Sequence, residues 1–172
     1  TGSWWGFQTA GVTPDMFSFG KKTQVCGFAS GQRLFEEPDN VFTVSSRINS
    51  TWGGNLVDMV RCRKYLEIVE EENLVENARR VGEFLIGKLQ ELALEFSGRM
   101  TNVRGKGLFI AFDLPDNATR GKVLATWLQK HNVMALTSGD RAIRLRPPLT
   151  LTKEEATIGV QRLRAAITEV LA

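Results

Sequence analysis

The chain has 172 residues, enough for one domain of ordinary size with a hydrophobic core. Its 42% apolar and 24% charged residues are globular in proportion, and the net charge of +3 is spread without a lysine-arginine block, which argues against a nucleic-acid partner. No apolar run reaches the length of a membrane span and no secretory signal is visible, so the expectation is a cytoplasmic protein with no membrane partner.

Residues 1–15 are rich in Gly, Trp and Thr and read as loop with a short helical turn. Their aromatic group Trp4, Trp5 and Phe7 is expected to pack against something upstream. Residues 16–20 and 24–29 predict two short strands. They lack alternation, which suits strands buried on both faces of a mostly parallel sheet. A turn is expected around Gly31-Gln32. Leu56, Met59, Val60, Tyr65, Leu66 and Val69 give a wide apolar face to a helix over about 54–72, broken by Glu70-Glu71-Glu72-Asn73. In a second long helix, roughly 74–97, Leu74, Ala78, Val81, Leu85, Leu89, Leu92 and Phe96 recur at helical spacing. Ser97-Gly98 is a suitable stop.

Beyond Val103 the pattern changes. A strand over 107–114 ends at Pro115, and a helix near 118–131 turns Val123, Leu124, Trp127 and Leu128 inward. Short strands follow at 133–136 and 142–146, the second ended by Pro147-Pro148. Thr152 and Glu155 form a capping box that opens a last helix, with Ile158, Leu163, Ile167, Val170 and Leu171 on its core face. The helices at 74–97 and 152–171 are expected on one face of a small antiparallel sheet holding 107–114 and 142–146. Cys26 and Cys62 fall on predicted buried elements without framework spacing and read as reduced thiols. With His131 the only histidine, a Cys/His zinc site is nearly excluded.

Lys21 is the most informative position. The apolar run Met16–Phe19 ends in Gly20-Lys21-Lys22, which reads as a strand delivering a lysine amine to its end. Thirty positions on, Asn49-Ser50-Thr51-Trp52-Gly53-Gly54-Asn55 places hydroxyls and glycines just before a helix, as an anion site requires. A lysine at a strand end together with a phosphate cradle is what a pyridoxal phosphate enzyme needs. The plainer alternatives are two solvated lysines and an ordinary helix N-cap. Gly105-Lys106-Gly107 has the look of a phosphate loop, but a lone Gly-x-Gly is a weak signal.

Three segments sharpen this: Phe19-Gly20-Lys21-Lys22-Thr23-Gln24-Val25-Cys26-Gly27, Ser46–Leu56, and Ile143-Arg144-Leu145-Arg146-Pro147-Pro148-Leu149-Thr150. In order and spacing they closely resemble the class III aminotransferases of fold type I. The first is most similar to the L-lysine ε-aminotransferase branch; most members of the family have small residues and glycines after the lysine. The resemblance runs over essentially the whole chain but corresponds only to the C-terminal two-fifths or so of such an enzyme. It implies an α/β fold type I fragment: residues 1–75 as the edge of the large cofactor-binding domain with an interface helix, and 76–172 as a complete α+β small domain.

The resemblance also implies pyridoxal 5′-phosphate as cofactor, held covalently by Lys21, which then serves as general base between the substrate Cα and the cofactor C4′. Lys22 is the competing lysine and is assigned to structure or surface. Ser50 and Thr51 match the segment that reaches across a homodimer to the other subunit's cofactor phosphate, with Asn49 beside them as a cofactor or substrate contact. Arg144 matches the arginine that binds the substrate α-carboxylate, a role suited to its planar fork. Arg146 is the alternative, and a surface salt bridge the plainer account of both. The implied reaction moves the terminal amino group of L-lysine to the 2-oxo acid 2-oxoglutarate. The family's aspartate for the pyridine nitrogen, its phosphate loop and its stacking ring have no match here, so the chain alone is expected to be inactive. The alternative is a non-catalytic domain that retains only folding and dimerisation.

Overall fold

The computed structural model describes residues 1–23, 25–48 and 50–171, with Lys22 described without its side chain. The chain divides into two units, Trp5–Asn73 and Leu74–Ala172, the second joined by Thr1–Trp4. Those first four residues therefore run with the C-terminal unit, whereas the sequence reading kept residues 1–75 together.

In the N-terminal unit, β1 (Met16–Phe19) and β2 (Gly27–Ser30) form an antiparallel pair, with Met16 opposite Ser30 and Phe19 opposite Gly27. The expectation of strands buried on both faces of a parallel sheet is corrected on both counts. Phe17 and Phe19 are half-buried while Met16 and Ser18 are exposed. The topology follows from chain length: only Gly20–Cys26 links the two strands, enough for a hairpin loop, whereas a parallel crossover needs a dozen residues or more. Gln24, where the second strand was expected to begin, lies outside the described residues. Trp5 and Phe7 pack on Phe17, ring centroids 4.7 and 5.2 Å away, so these two aromatics cover β1.

The turn expected near Gly31-Gln32 is a one-turn helix, α1 (Gln32–Phe35), and Phe35 and Phe28 both meet the Phe42 ring, at 5.6 and 5.2 Å. Then comes α2 (Leu56–Glu71), capped by Asn55, whose side chain accepts the Val57 N–H at 3.0 Å. None of its residues is buried; Leu56 is 76% and Val60 70% exposed. The thiols also depart from expectation, with Cys26 exposed and Cys62 half-buried. Both follow from the same cause: among the described residues, no hydrophobic side chain before Leu74 is fully buried.

The C-terminal unit holds the core. In α3 (Leu74–Glu95), Leu74, Ala78, Val81, Leu85, Leu89 and Leu92 are all buried, the stripe that their spacing predicts. Gly98 ends that region with φ +76°, and the Met100 N–H returns to the Phe96 carbonyl. The predicted strand 107–114 is a hairpin, β3 (Thr101–Lys106) and β4 (Phe109–Asp113), with Gly107 in its turn at φ +53°. A Cβ on Gly82 of α3 would stand 2.2 Å from the Gly107 carbonyl carbon, so helix and turn meet main chain to main chain.

Asp116 caps α4 (Asn117–His131) by accepting the Thr119 N–H at 2.7 Å. Asn132 closes it in the left-handed region, and Val133 donates back to the Trp127 carbonyl. That wrap delays the next strand, expected at 133–136, to β5 (Leu136–Ser138). β6 (Ala142–Leu145) pairs antiparallel with both β4 and β5, giving the sheet order β3-β4-β6-β5. The last helix, α5 (Lys153–Leu171), opens with the reciprocal capping box: Thr152 N–H to Glu155 Oε2 at 2.9 Å, and Glu155 N–H to Thr152 Oγ1 at 3.1 Å. It contacts both α3 and α4. Phe112, Ile110 and Ile143 from the sheet meet Leu89, Val123, Leu163 and Ile167 from the helices in one core. Leu128 and Ile158, both expected inward, are about half exposed.

Candidate functional site

β1 delivers the chain to Gly20 and Lys21. Lys21 has φ +60°, a left-handed backbone that residues with a Cβ seldom adopt and that concentrates at functional sites. Residues Lys21–Thr23 form a 3₁₀ turn, steadied by a hydrogen bond from Thr23 Oγ1 to the Val25 carbonyl at 2.7 Å. Gly20 lies flush against Cys26: a Cβ at position 20 would stand 2.8 Å from Cys26 Sγ. Lys21 is exposed, and α2 packs on its turn.

Ser50 and Thr51 belong to the same unit. They are exposed and stand in the turn before α2, where Gly53 N–H donates to the Ser50 carbonyl at 3.1 Å. Asn49 lies outside the described residues. Two exposed hydroxyls in the turn that leads into a 16-residue helix, and a lysine amine at a strand end, are the types of group that a phosphate dianion and an aldehyde would call for.

Arg144 belongs to the C-terminal unit. It sits on β6 opposite Ala111 of β4 and Leu136 of β5. Its Nε is buried, and among the described residues it has no hydrogen-bond partner. A carboxylate engaging Nε–H and one terminal N–H would satisfy it bidentately. The strand ends at Leu145, one residue before the alternative candidate, Arg146, whose guanidinium carbon lies 5.6 Å from the Phe109 ring centroid. Arg144 also lines a largely apolar cavity of about 470 Å³, with Leu89, Trp127, Leu136, Leu151 and Val160. All its lining residues belong to this unit.

Two polar groups that the sequence did not single out hold this unit together. Asp113 accepts from Asn102 Nδ2 at 3.0 Å and from Arg104 Nη1 at 2.8 Å, with Arg141 Nε 3.9 Å away. Burial pushes its carboxyl up, but the Asn102 and Arg104 hydrogen bonds and the two arginine charges outweigh that and leave it below its usual value. Arg120 of α4 is buried and holds the β5–β6 turn, donating to the Gly139 carbonyl at 2.8 Å and to Asn117 Oδ1 at 2.5 Å. The Asp113 hydrogen bonds and the bond from Arg120 to Gly139 join positions 9 to 19 residues apart, which periodicity does not register. Among the described residues, no group of His, Cys, Asp or Glu could hold a metal ion, and no helix is long and apolar enough to cross a membrane.

The aminotransferase class-III family model matches residues 1–167, and the chain belongs to that family. It is 45% identical over 170 residues to the L-lysine-epsilon aminotransferase of Streptomyces clavuligerus, covering 99% of this chain and 37% of that protein. It is 47% identical over 167 residues to the enzyme of the same name from Amycolatopsis lactamdurans, covering 97% of this chain and again 37% of that protein. Among solved structures, the lysine aminotransferase from M. tuberculosis in the internal aldimine form superposes with a TM-score of 0.93 at 45% identity, covering 98% of this chain and 39% of that one. The chain thus spans less than two-fifths of the length of these relatives, and its mixed helix-and-sheet fold is that of part of such an enzyme.

Proposed function

We propose that this chain is the lysine-bearing C-terminal part of a transaminase that moves the terminal amino group of L-lysine to 2-oxoglutarate, with pyridoxal 5′-phosphate as cofactor. Lys21 carries this reading, as a lysine in strained left-handed backbone at a strand end, in a chain 45% identical to an L-lysine-epsilon aminotransferase over 170 residues. When bound, the cofactor supplies the electron sink for the substrate carbon that loses its proton. Lys21 Nζ would hold it covalently and, when the substrate amine takes its place, would move the proton from the donor's amino-bearing carbon to the cofactor C4′, and the reverse way with the oxo-acid acceptor. Ser50 and Thr51 donate hydroxyls to the phosphate of the second subunit's cofactor, which makes the working unit a homodimer. Arg144 binds the substrate α-carboxylate, which in 2-oxoglutarate adjoins the reacting carbon, and so orients the acceptor. In this assignment residues 1–75 belong to the large domain, apart from the few that run with the C-terminal unit, and residues 76–172 form the small domain.

A second reading has its own supporting observation. Among the described residues, every fully buried hydrophobic side chain lies at or beyond Leu74. A polypeptide of this extent alone would then retain folding and association but no catalysis.

Borohydride reduction tests the first reading in the full-length protein loaded with pyridoxal 5′-phosphate. The visible absorbance is expected to disappear with the label on Lys21. Lys21→Ala should abolish that absorbance and Lys22→Ala should keep it. Label on Lys22, or no label on either lysine, overturns the assignment.

A further inference from the structure

The seven-residue loop Gly20–Cys26 closes beyond the last described β1–β2 pair, Phe19 opposite Gly27. What closes its neck is a side chain on a backbone: Cys26 Sγ rests where a Gly20 Cβ would come within 2.8 Å of it. Gly20 is not glycine for conformational reasons, since only the next residue, Lys21, enters the left-handed region. A Cβ there would meet the sulfur, which would have to turn aside to make room. The next atoms that such a Cβ would meet, Cys26 Cβ and Cα, lie at 3.4 and 3.5 Å, ordinary contact distances. Position 20 therefore tolerates a methyl group as soon as the sulfur is gone.

We infer that Cys26 is a positioning residue for Lys21: its sulfur, packed on the Gly20 Cα, fixes the loop neck and so the backbone from which the lysine amine is presented. A left-handed conformation in a residue with a Cβ persists only where its surroundings hold it. The Gly20–Cys26 contact lies immediately before the residue that needs holding. This inference rests on the assignment of Lys21 made above.

Because the contact is between two volumes, a size swap isolates it. The measurements are the fraction of Lys21 labelled by pyridoxal 5′-phosphate and borohydride, amide hydrogen exchange across Lys21–Thr23 without cofactor, and the melting temperature, all in the full-length protein. Gly20→Ala should drive its methyl into the sulfur and lower Lys21 labelling roughly tenfold, as a misplaced reacting group does. Cys26→Ala should speed exchange at Lys21–Thr23 about tenfold through local opening, with the melting temperature unchanged. Cys26→Ser should restore most of the protection. The double variant Gly20→Ala with Cys26→Ala should recover labelling to the level of Cys26→Ala alone. A double variant no better than Gly20→Ala, or exchange unchanged in Cys26→Ala, overturns the positioning role. Wild-type protein without label on Lys21 overturns the transaminase assignment instead, and the positioning role with it.

Discussion

Arg144 and Arg146 stand two residues apart, yet their surroundings differ. Arg144 has a buried Nε–H with no partner among the described residues, whereas Arg146 lays its guanidinium over the Phe109 ring. Of the two, it is Arg144 whose buried donor lacks a partner among the described residues, and a substrate carboxylate would satisfy it. Arg144→Lys keeps the charge but loses the bidentate fork. Steady-state kinetics of the full-length enzyme should then show KM raised roughly ten- to a hundredfold for 2-oxoglutarate, whose α-carboxylate adjoins the reacting carbon, matching the loss of about 1.5–3 kcal/mol from a charged hydrogen bond. The cofactor absorbance should be unchanged, and Arg146→Lys should stay near wild type. The opposite pattern would assign the carboxylate to Arg146. At this scale the sequence points to chemistry where it is carried by residue type within a motif, as proposed for Lys21 and Arg144. It was silent on Asp113 and Arg120, whose partners are set by folding, and it placed Cys26 on a buried element. The exposure of Cys26 ran against the general tendency of free cysteines to be buried.

Among the elements, the long helices were the most legible. The α3 stripe and the α5 capping box depend on spacings of three and four residues, and these are written directly in the chain. Strands were harder. β3 is a polar edge strand in which only Val103 is half-buried, and an irregular register between Thr101 and Arg104 blurs its alternation. The apolar face of α2 was read correctly as a composition, but nothing in this unit buries it. Asp113 ties the elements of the sheet together, linking β4 to Asn102 and Arg104 on β3 and lying near Arg141 at the start of β6. Its folded-state pKa lies below the unfolded value, so its stabilisation is complete above about pH 4 and is lost as the pH falls through the folded value. Urea unfolding of Asp113→Asn near pH 7 should show a loss of roughly 1–3 kcal/mol. The gap from wild type should narrow as the pH falls through the folded value and both sequences come to carry a neutral side chain there. A gap that persists in acid would mean that geometry, not charge, is what Asp113 contributes.

At the scale of the whole molecule, apolar burial is distributed unevenly. Fully buried hydrophobic side chains, among the described residues, occur only from Leu74 onward. Hydrophobic burial is the dominant favourable term in folding, so cooperative stability should reside in the C-terminal unit. Residues 74–172 expressed alone should melt in a single cooperative transition followed by circular dichroism, and Leu89→Ala should lower their stability by about 2–5 kcal/mol. Residues 5–73 alone should show no such transition. A cooperative melt of that piece would indicate that its aromatic clusters around Phe17 and Phe42 suffice as a core.

The meeting of Gly82 and Gly107 sets a limit on how this unit can vary. Where side chains pack, a loss of volume at one position can be made good by a gain at another, and lineages drift through such exchanges. Where two main chains touch, there is no volume to trade: a methyl group on Gly82 would fall within 2.2 Å of backbone that cannot step aside. The crossing of α3 over the β3–β4 turn is therefore a fixed datum, and repacking of the core has to be measured from it.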